Sequence, residues 1–195
     1  ALSSVIASDE AKKLAEATEK EPEIVQLILD ESNEILRHRP GVLIAEHKQG
    51  YVLANAGIDR SNVDADSDLV LLLPKDSNAS AAKLRSELEA TAGVRLGIII
   101  ADSVGRAWRM GTTGMALGSS GITALANLRG NHDLFNRELQ VSEHAIADSI
   151  ASAAELLMGE ANEATPVVLL RGLQLADPEQ DANVLFRPAH EDMFR

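Results

Sequence analysis

The run Leu96-Gly97-Ile98-Ile99-Ile100-Ala101 constrains the fold of this chain more than any other segment. It is short, apolar and β-branched at its centre, and it reads as a strand buried on both faces. Directly after it come Asp102-Ser103-Val104-Gly105-Arg106, a carboxylate, a hydroxyl and a glycine at the expected C-terminal end of the strand. Strand ends of this kind commonly hold a metal or a phosphate in α/β proteins. Asp102 offers a hard anionic oxygen and Ser103 a neutral one. The plainer alternative is a charged strand terminus followed by a turn, but the apolar run ahead of Asp102 favours the functional reading.

Helical and strand-like patterns alternate around that run. The chain opens with two helices. Ser8 caps the first, and Asp9 and Glu10 sit in its first turn, where negative charge suits the helix dipole. Pro22 stands early in the second, whose stripe of Ile24, Leu27, Ile28 and Ile35 runs on to a stop at Pro40-Gly41. Residues 42–45 and 51–54 flank Lys48-Gln49-Gly50 and predict a β-hairpin. Residues 69–73 form another short apolar run, closed by Pro74. Ser77 to Ser80 offer caps for a helix carrying Ala82, Leu84, Leu88 and Ala92. Residues 115–128 fit a strand, a loop or a buried helix. Residues 141–158 predict the clearest helix, with Ile146, Ile150, Ala153, Ala154 and Leu157 on one face and Gly159 as its C-cap. Residues 165–170 read as a strand, and residues 174–195 as a polar tail along the surface. This alternation, with at least one hairpin, predicts an α+β (mixed α/β) class with mixed sheets and flanking helices.

At 195 residues the chain is long enough for one domain of substantial core, or for two small ones sharing an interface. Hydrophobic residues at 45% and charged residues at 25% are ordinary globular values and argue against disorder. Aromatics at 3% leave the packing to Leu, Ile, Val and Ala. A formal charge of −12 argues against a nucleic-acid partner or an anionic membrane surface, because both require a basic face. It is compatible with divalent cations, although most of the acids fall on helical faces where they only solubilise. The absence of Cys removes disulfides, thiolate nucleophiles and sulfur-ligated metals, and fits a reducing compartment. Residues 1–9 lack the basic and apolar regions of a signal peptide, and no apolar run approaches the ~20 residues of a membrane span. A soluble, cytoplasmic protein with no nucleic-acid and no membrane partner is expected.

A second candidate site lies in Ala54-Asn55-Ala56-Gly57-Ile58-Asp59-Arg60-Ser61-Asn62-Val63, just past the strand-like Tyr51-Val52-Leu53. The Asp59 carboxylate and the Asn62 amide, at i and i+3, are able to converge on one hard cation or one phosphate group. The alternative is an Asx-type turn in which both satisfy local backbone donors, and on spacing alone that turn is preferred. Arg106 and Arg109 flank Trp108, the single tryptophan. Their guanidinium groups suit bidentate phosphate or carboxylate contacts, or equally surface ion pairs around a packed Trp108. Gly118-Ser119-Ser120-Gly121 has no following Gly-Lys-Ser/Thr, so close packing is preferred over phosphate binding. Glu138 is a candidate metal ligand or a partner for Arg137, with the ion pair as default. The five histidines show no zinc-hydrolase spacing, and no serine sits in a Gly-x-Ser-x-Gly elbow.

Several of these segments, taken in order, form a pattern. They are Ala56-Gly57-Ile58-Asp59 with Ser61-Asn62-Val63, Asp66-Ser67-Asp68, Leu71-Leu72-Leu73-Pro74 with Ser80-Ala81 and Leu84-Arg85, and residues 99–105. Arg137-Glu138-Leu139, Ala147-Asp148, Leu157-Met158-Gly159-Glu160 and residues 168–172 continue it. Together they resemble the coenzyme F420-0:L-glutamate ligases, the F420 γ-glutamyl ligase family, from about Ser8 onward. The resemblance implies that family's α+β fold in a single domain over residues 1–195. It also implies GTP-dependent ligation with Mg²⁺ or Mn²⁺, and with K⁺ as a further candidate ion. A carboxylate of coenzyme F420-0 is activated by the γ-phosphate as an acyl phosphate, the α-amine of L-glutamate attacks it, and later rounds add γ-linked glutamates. A homodimer is implied as well. Such chemistry asks for cations around developing negative charge rather than for a protein nucleophile, which suits a chain without Cys or a catalytic triad.

Carried over by motif, Asp59 and Asp102 are implied to be metal-binding carboxylates of the catalytic centre, and Ser103 a metal-binding hydroxyl where the family has threonine. Asn62 is implied to contact GTP. Met158, Gly159, Glu160, Ala161, Asn162, Glu163, Ala164 and Thr165 are implied to form the loop that closes over the nucleotide. Arg137 and Glu138 sit in a family motif without an assigned role. Gly114 stands at a usually polar, often acidic position and Ser149 at an acidic one, departures that bear on substrate preference. The family's N-terminal segment, with part of its nucleotide site, is expected to be missing from residues 1–195. Two alternatives stay open: a nucleotide-dependent amide ligase with a different acceptor, and a non-catalytic module that binds deazaflavin or nucleotide.

Overall fold

Ser8 starts helix α1 (Asp9–Thr18) as expected, its hydroxyl accepting the Ala11 amide at 3.1 Å. The computed structural model describes residues 1–63, 67–174 and 178–194. Their contacts fall into two compact units, Ala1–Lys75 with Met193–Arg195, and Asp76–Asp192.

In the first unit, α2 (Pro22–Glu31) carries Pro22 at its N-terminus and ends nine residues before the expected Pro40-Gly41 stop. The chain turns instead into strand β1 (Ser32–Arg39), which places Ile35 on a sheet opposite Ala45 and not on a helix. Pro40 and Gly41 are the turn between β1 and β2 (Val42–His47), where Gly41 adopts φ +78. The expected hairpin follows, β2 pairing antiparallel with β3 (Val52–Ala54) in the register Ala45↔Leu53. Ala11 and Ala15 of α1 and Val25 and Ile28 of α2 close over Leu43 and Ala45 of β2. Ile28, Val25 and Leu43 are wholly buried. Ala56 and Ile58, just after β3, complete the same core.

The second unit begins with α3 (Ser77–Ala92). Asp76, and not one of the serines, caps it by accepting the Ala79 amide at 2.8 Å. Its buried residues are Ser77 and Ala81, whereas Leu84 and Leu88 are exposed. Strands β4 (Ile98–Gly105) and β5 (Thr112–Ser120) form a long antiparallel ribbon with Asp102 opposite Met115. Two corrections follow. β4 is half-buried along most of its length, because β5 is its one strand partner among the described residues. Asp102 and Ser103 lie within the strand, not at its end.

The segment left open between strand, loop and helix holds the rest of β5, a short loop, and then β6 (Leu125–Asn127), which pairs with β7 (Glu143–Ala145). Helix α4 (Ile146–Met158) therefore starts five residues later than the pattern suggests. It buries Ala147 and Ala151, and Gly159 ends it, donating its amide to the Glu155 carbonyl. Both helices reach β5 through glycines. A Cβ on Gly118 would stand 2.3 Å from the Ser77 backbone, and one on Gly114 would stand 2.5 Å from the Ala151 carbonyl oxygen.

No strand forms over residues 165–170 among the described residues, and Val167 and Leu169 are exposed there. The tail, of which residues 175–177 and 195 lie outside the described set, does more than cover the surface. Ala182 is fully buried, Gln180 donates its amide to the Ile122 carbonyl, and Ser119 donates its hydroxyl to the Gln180 carbonyl. Asn78 Oδ1 accepts amides from both Ser119 and Ala182 at 3.0 Å, which ties tail, ribbon and α3 together. The α+β class is as expected.

Candidate functional site

The β4–β5 ribbon carries Asp102 and Ser103 side by side, both half-buried, with Asp102 Oδ1 accepting the Ser103 amide at 2.8 Å. The register sets Ser103 opposite Gly114. Because Gly114 lacks a side chain, the last turn of α4 lies close against the ribbon there. Glu155, in that turn, accepts the Gly114 amide through Oε2. From the loop after α4, Glu160 accepts the Thr112 hydroxyl at 3.1 Å and the Ser103 hydroxyl. Hence Ser103 and Glu160, from two of the sequence-expected segments, meet at one place, with Asp102 next to Ser103 in the strand.

Two carboxyl groups share this corner. Hydrogen bonding to Glu160, then burial and the Glu160 charge, raise the Glu155 pKa above the ordinary glutamate range, the Gly114 amide offsetting part of the rise. Hydrogen bonding from Glu155, with help from Ser103 and Thr112, holds Glu160 below it despite burial. Of the pair, Glu155 takes up a proton more readily than an ordinary glutamate and Glu160 less readily. The sequence reading missed Glu155 and Thr112. The one signal for Glu155 was its position, an acid in the last turn of a helix, where the dipole disfavours negative charge.

The nucleotide-loop candidates run on from Gly159, which has φ +76 and lies so close to Glu163 that a Cβ would fall 2.2 Å from its carboxyl carbon. Glu163 folds the loop on itself by accepting the Ala161 amide at 2.9 Å, and Thr165 donates to the Glu163 carbonyl at 3.2 Å. Ala164 turns the chain at φ +51. Met158 is half-buried at the helix end, and Asn162 is exposed.

In the first unit, Asp59 follows three successive residues with positive φ, Asn55 (+54), Ala56 (+52) and Gly57 (+72). For Asn55 and Ala56 this backbone is strained. Gly57 is required for space, since a Cβ would lie 2.6 Å from Leu73. The backbone of Asp59 exchanges hydrogen bonds with Leu71, which is how the apolar run 69–73 is used. The Asp59 carboxylate makes the Asx-type turn considered from spacing, accepting the Ser61 amide at 2.8 Å and the Ser61 hydroxyl. Burial raises its pKa, and the Ser61 and Arg60 hydrogen bonds outweigh that and lower it. Asn62 is exposed and takes φ +53 in the same turn. Asp66, in the neighbouring motif, lies outside the described residues.

Arg106, Trp108 and Arg109 belong to the exposed β4–β5 turn, with Trp108 88% accessible and therefore not packed in a core. Arg137 and Glu138 close a turn built on Asp133, whose Oδ1 accepts the Phe135 and Arg137 amides, and no ion pair joins the two among the described residues. Ser149 bonds His144 at 3.2 Å, and both line a largely apolar cavity of about 320 Å³ with Ile122, Ile146, Ile150 and Leu170. Among the described residues no group of three or more His, Asp or Glu side chains is arranged to hold a metal by itself. The donor set at Asp102 and Ser103 nevertheless suits a hard cation that arrives with phosphate. Such ions are typically held by one or two carboxylates plus substrate oxygens, not by a full protein cage. No helix among the described residues is long and apolar enough to cross a membrane.

Comparison with known proteins gives a consistent result. Residues 1–172 match the family model described as F420-0:Gamma-glutamyl ligase. The coenzyme F420:L-glutamate ligase of Methanocaldococcus jannaschii is 47% identical over 98% of this chain and 76% of its own length. Those of Methanopyrus kandleri and Archaeoglobus fulgidus are 44% and 43% identical, over 95% and 96% of this chain and 74% of their own lengths.

Proposed function

The chain belongs to the F420-0:Gamma-glutamyl ligase family, and from that premise we propose that it ligates L-glutamate to coenzyme F420-0 in a GTP-driven, divalent-metal-dependent reaction. The observation that carries this reading is 47% identity across nearly the whole chain to a protein named for that ligation. In the proposed reaction a carboxylate oxygen of F420-0 takes the γ-phosphoryl group of GTP, and GDP leaves. The glutamate α-amine then attacks the activated carbonyl carbon, loses a proton and expels inorganic phosphate.

Asp102 and Ser103 are assigned to hold Mg²⁺ or Mn²⁺, with K⁺ as a further ion, and Asp59 carries the same metal-binding assignment in its own unit. A bound divalent ion supplies neutralisation of the charge that builds on the transferring phosphoryl oxygens. This chain's own residues do the rest. The residues 158–165 loop contacts the nucleotide, and Glu160 keeps its carboxylate beside the Ser103 hydroxyl. Asn62 is assigned a nucleotide contact. The exposed Leu156, Leu157, Val167 and Leu169 support a homodimer that covers them.

The experiment is GTP turnover with each component withheld in turn. GDP release that requires metal, F420-0 and L-glutamate together supports the proposal. GDP release that ignores F420-0 but responds to another carboxylate acceptor supports the alternative ligase, to which Ser149 in the cavity wall gives a structural footing. Binding of GTP or F420-0 without any release supports the non-catalytic module.

A further inference from the structure

Residues 71–74 form no helix or strand beyond the bridge that joins Leu71 to Asp59, yet they are held at three points. Asp59 donates its amide to the Leu71 carbonyl at 3.1 Å, and Leu71 donates its own to the Asp59 carbonyl at 2.8 Å. The Leu73 side chain fills the space over Gly57, where a Cβ would fall 2.6 Å from it. The Pro74 carbonyl accepts the side-chain amide of Gln49, from Nε2, at 2.7 Å. The first two contacts join residues 71–74 to the strained turn itself, so they move with it. The third reaches a support outside that turn. Positive φ at Asn55 and Ala56 costs free energy, and such a backbone persists only where its surroundings over-determine it.

Gln49 is well built for that support. It sits in the tight turn between β2 and β3, which Gly50 closes by donating its amide to the His47 carbonyl at 2.7 Å. The Gln49 amide donates to Nδ1 of the buried His47 at 3.1 Å. At the tip of its side chain, Oε1 accepts the hydroxyl of the buried Tyr51 at 3.4 Å. Its backbone and its side-chain oxygen are thus both engaged, which aims the Nε2 donor at Pro74. We propose that Gln49 is a positioning residue: by pinning the Pro74 carbonyl it holds residues 71–74 against the strained turn, and so fixes the place from which Asp59 is presented. Gln49 touches no reacting atom. Its effect on catalysis rests on the metal-binding role proposed above for Asp59, whereas its effect on the order of the turn does not.

Two substitutions remove the donor and keep the length of the side chain, Gln49→Met without charge and Gln49→Glu with one. In the ligand-free protein at pH 8, hydrogen exchange at the Asp59 and Leu71 amides is expected to rise about tenfold in both variants. Exchange in α1 and in the β2–β3 pairing should stay within about twofold of native. In GTP turnover with Mn²⁺ as the metal, the apparent KM for Mn²⁺ is expected to rise about tenfold, with kcat at saturating Mn²⁺ nearly unchanged. A general loss of folded protein would lower kcat and leave that KM where it was. Native-like exchange at Asp59 and Leu71 in both variants overturns the proposal. So does exchange that rises equally through the β2–β3 pairing, since Gln49 would then support its own hairpin and not residues 71–74. A local rise in exchange with unchanged Mn²⁺ dependence upholds the pin and overturns the metal-binding reading of Asp59 instead.

Discussion

Ser103 keeps a hydroxyl at a position where the family resemblance implies a threonine. Its hydroxyl donates to Glu160, and Asp102 accepts its amide, so both residues are pre-oriented on a rigid strand and not on a loop. Asp102→Asn preserves shape and removes the charge; turnover is expected to fall by about 100-fold or more with unchanged thermal stability. Ser103→Ala is expected to lose activity and Ser103→Thr to retain it, both read from initial rates at saturating GTP. His47 gives a second residue-scale test. It is buried, and its Nδ1 accepts the Gln49 amide at 3.1 Å, which requires a ring without a proton on that atom. Burial lowers its pKa below the ordinary 6.5, and Glu31, 3.5 Å away, recovers only part of that. The unfolded chain therefore binds the proton more readily. The stability due to neutral His47 is fully present above pH 6.5 and is lost as pH falls through its lower folded value. Urea midpoints should decline between about pH 7 and about pH 5, and decline less in His47→Gln. Equal slopes in the two proteins would rule out His47 as the source.

At the level of elements, three helix ends were legible, whereas the end of α2, the cap of α3 and the start of α4 were not. Ser8, Pro22 and Gly159 mark helix ends because capping is local chemistry, satisfied by side chains and backbone within one turn. Ile35 was misread because it lies seven residues after Ile28, a helical interval, and because β1 is defined by pairing with β2, which no local pattern encodes. Leu84 and Leu88 fit a helical stripe, yet α3 meets β5 on its Ser77 and Ala81 side, where Gly118 permits backbone-to-backbone approach. The same logic hid Glu155. Its partners on the ribbon, Gly114 directly and Thr112 through Glu160, are some forty residues away in sequence and adjacent only after the ribbon folds. A direct test is Gly118→Ala, which sets a Cβ 2.3 Å from the Ser77 backbone. It is expected to destabilise the protein by about 1–3 kcal/mol in urea unfolding. A variant as stable as native would show that α3 does not press on β5 as described.

For the whole molecule, the strained turn that carries Asp59 and the ribbon that carries Asp102 belong to different compact units. Each unit has its own core, of α1, α2 and β2 in one and of β5, the segment just after it, α4 and the tail in the other. The residues linked by motif to metal and nucleotide are thus divided between two independently packed bodies. Sequence alone nominated these residues, because their types and order carry the family pattern, but it could not show Asp59 engaged by Ser61 or Glu160 bonded to Ser103. A formal charge of −12 repels anions at large, so the proposed reaction of a nucleotide, a dicarboxylic amino acid and an anionic coenzyme calls for cations at the site. The decisive measurement is mass spectrometry of coenzyme F420-0 after incubation with this protein, GTP, L-glutamate and Mg²⁺ or Mn²⁺. A product heavier by one glutamate residue, absent without GTP or without metal, is the expected result. Unchanged F420-0 under every condition, from protein that is folded and binds GTP, would contradict the assignment as a ligase.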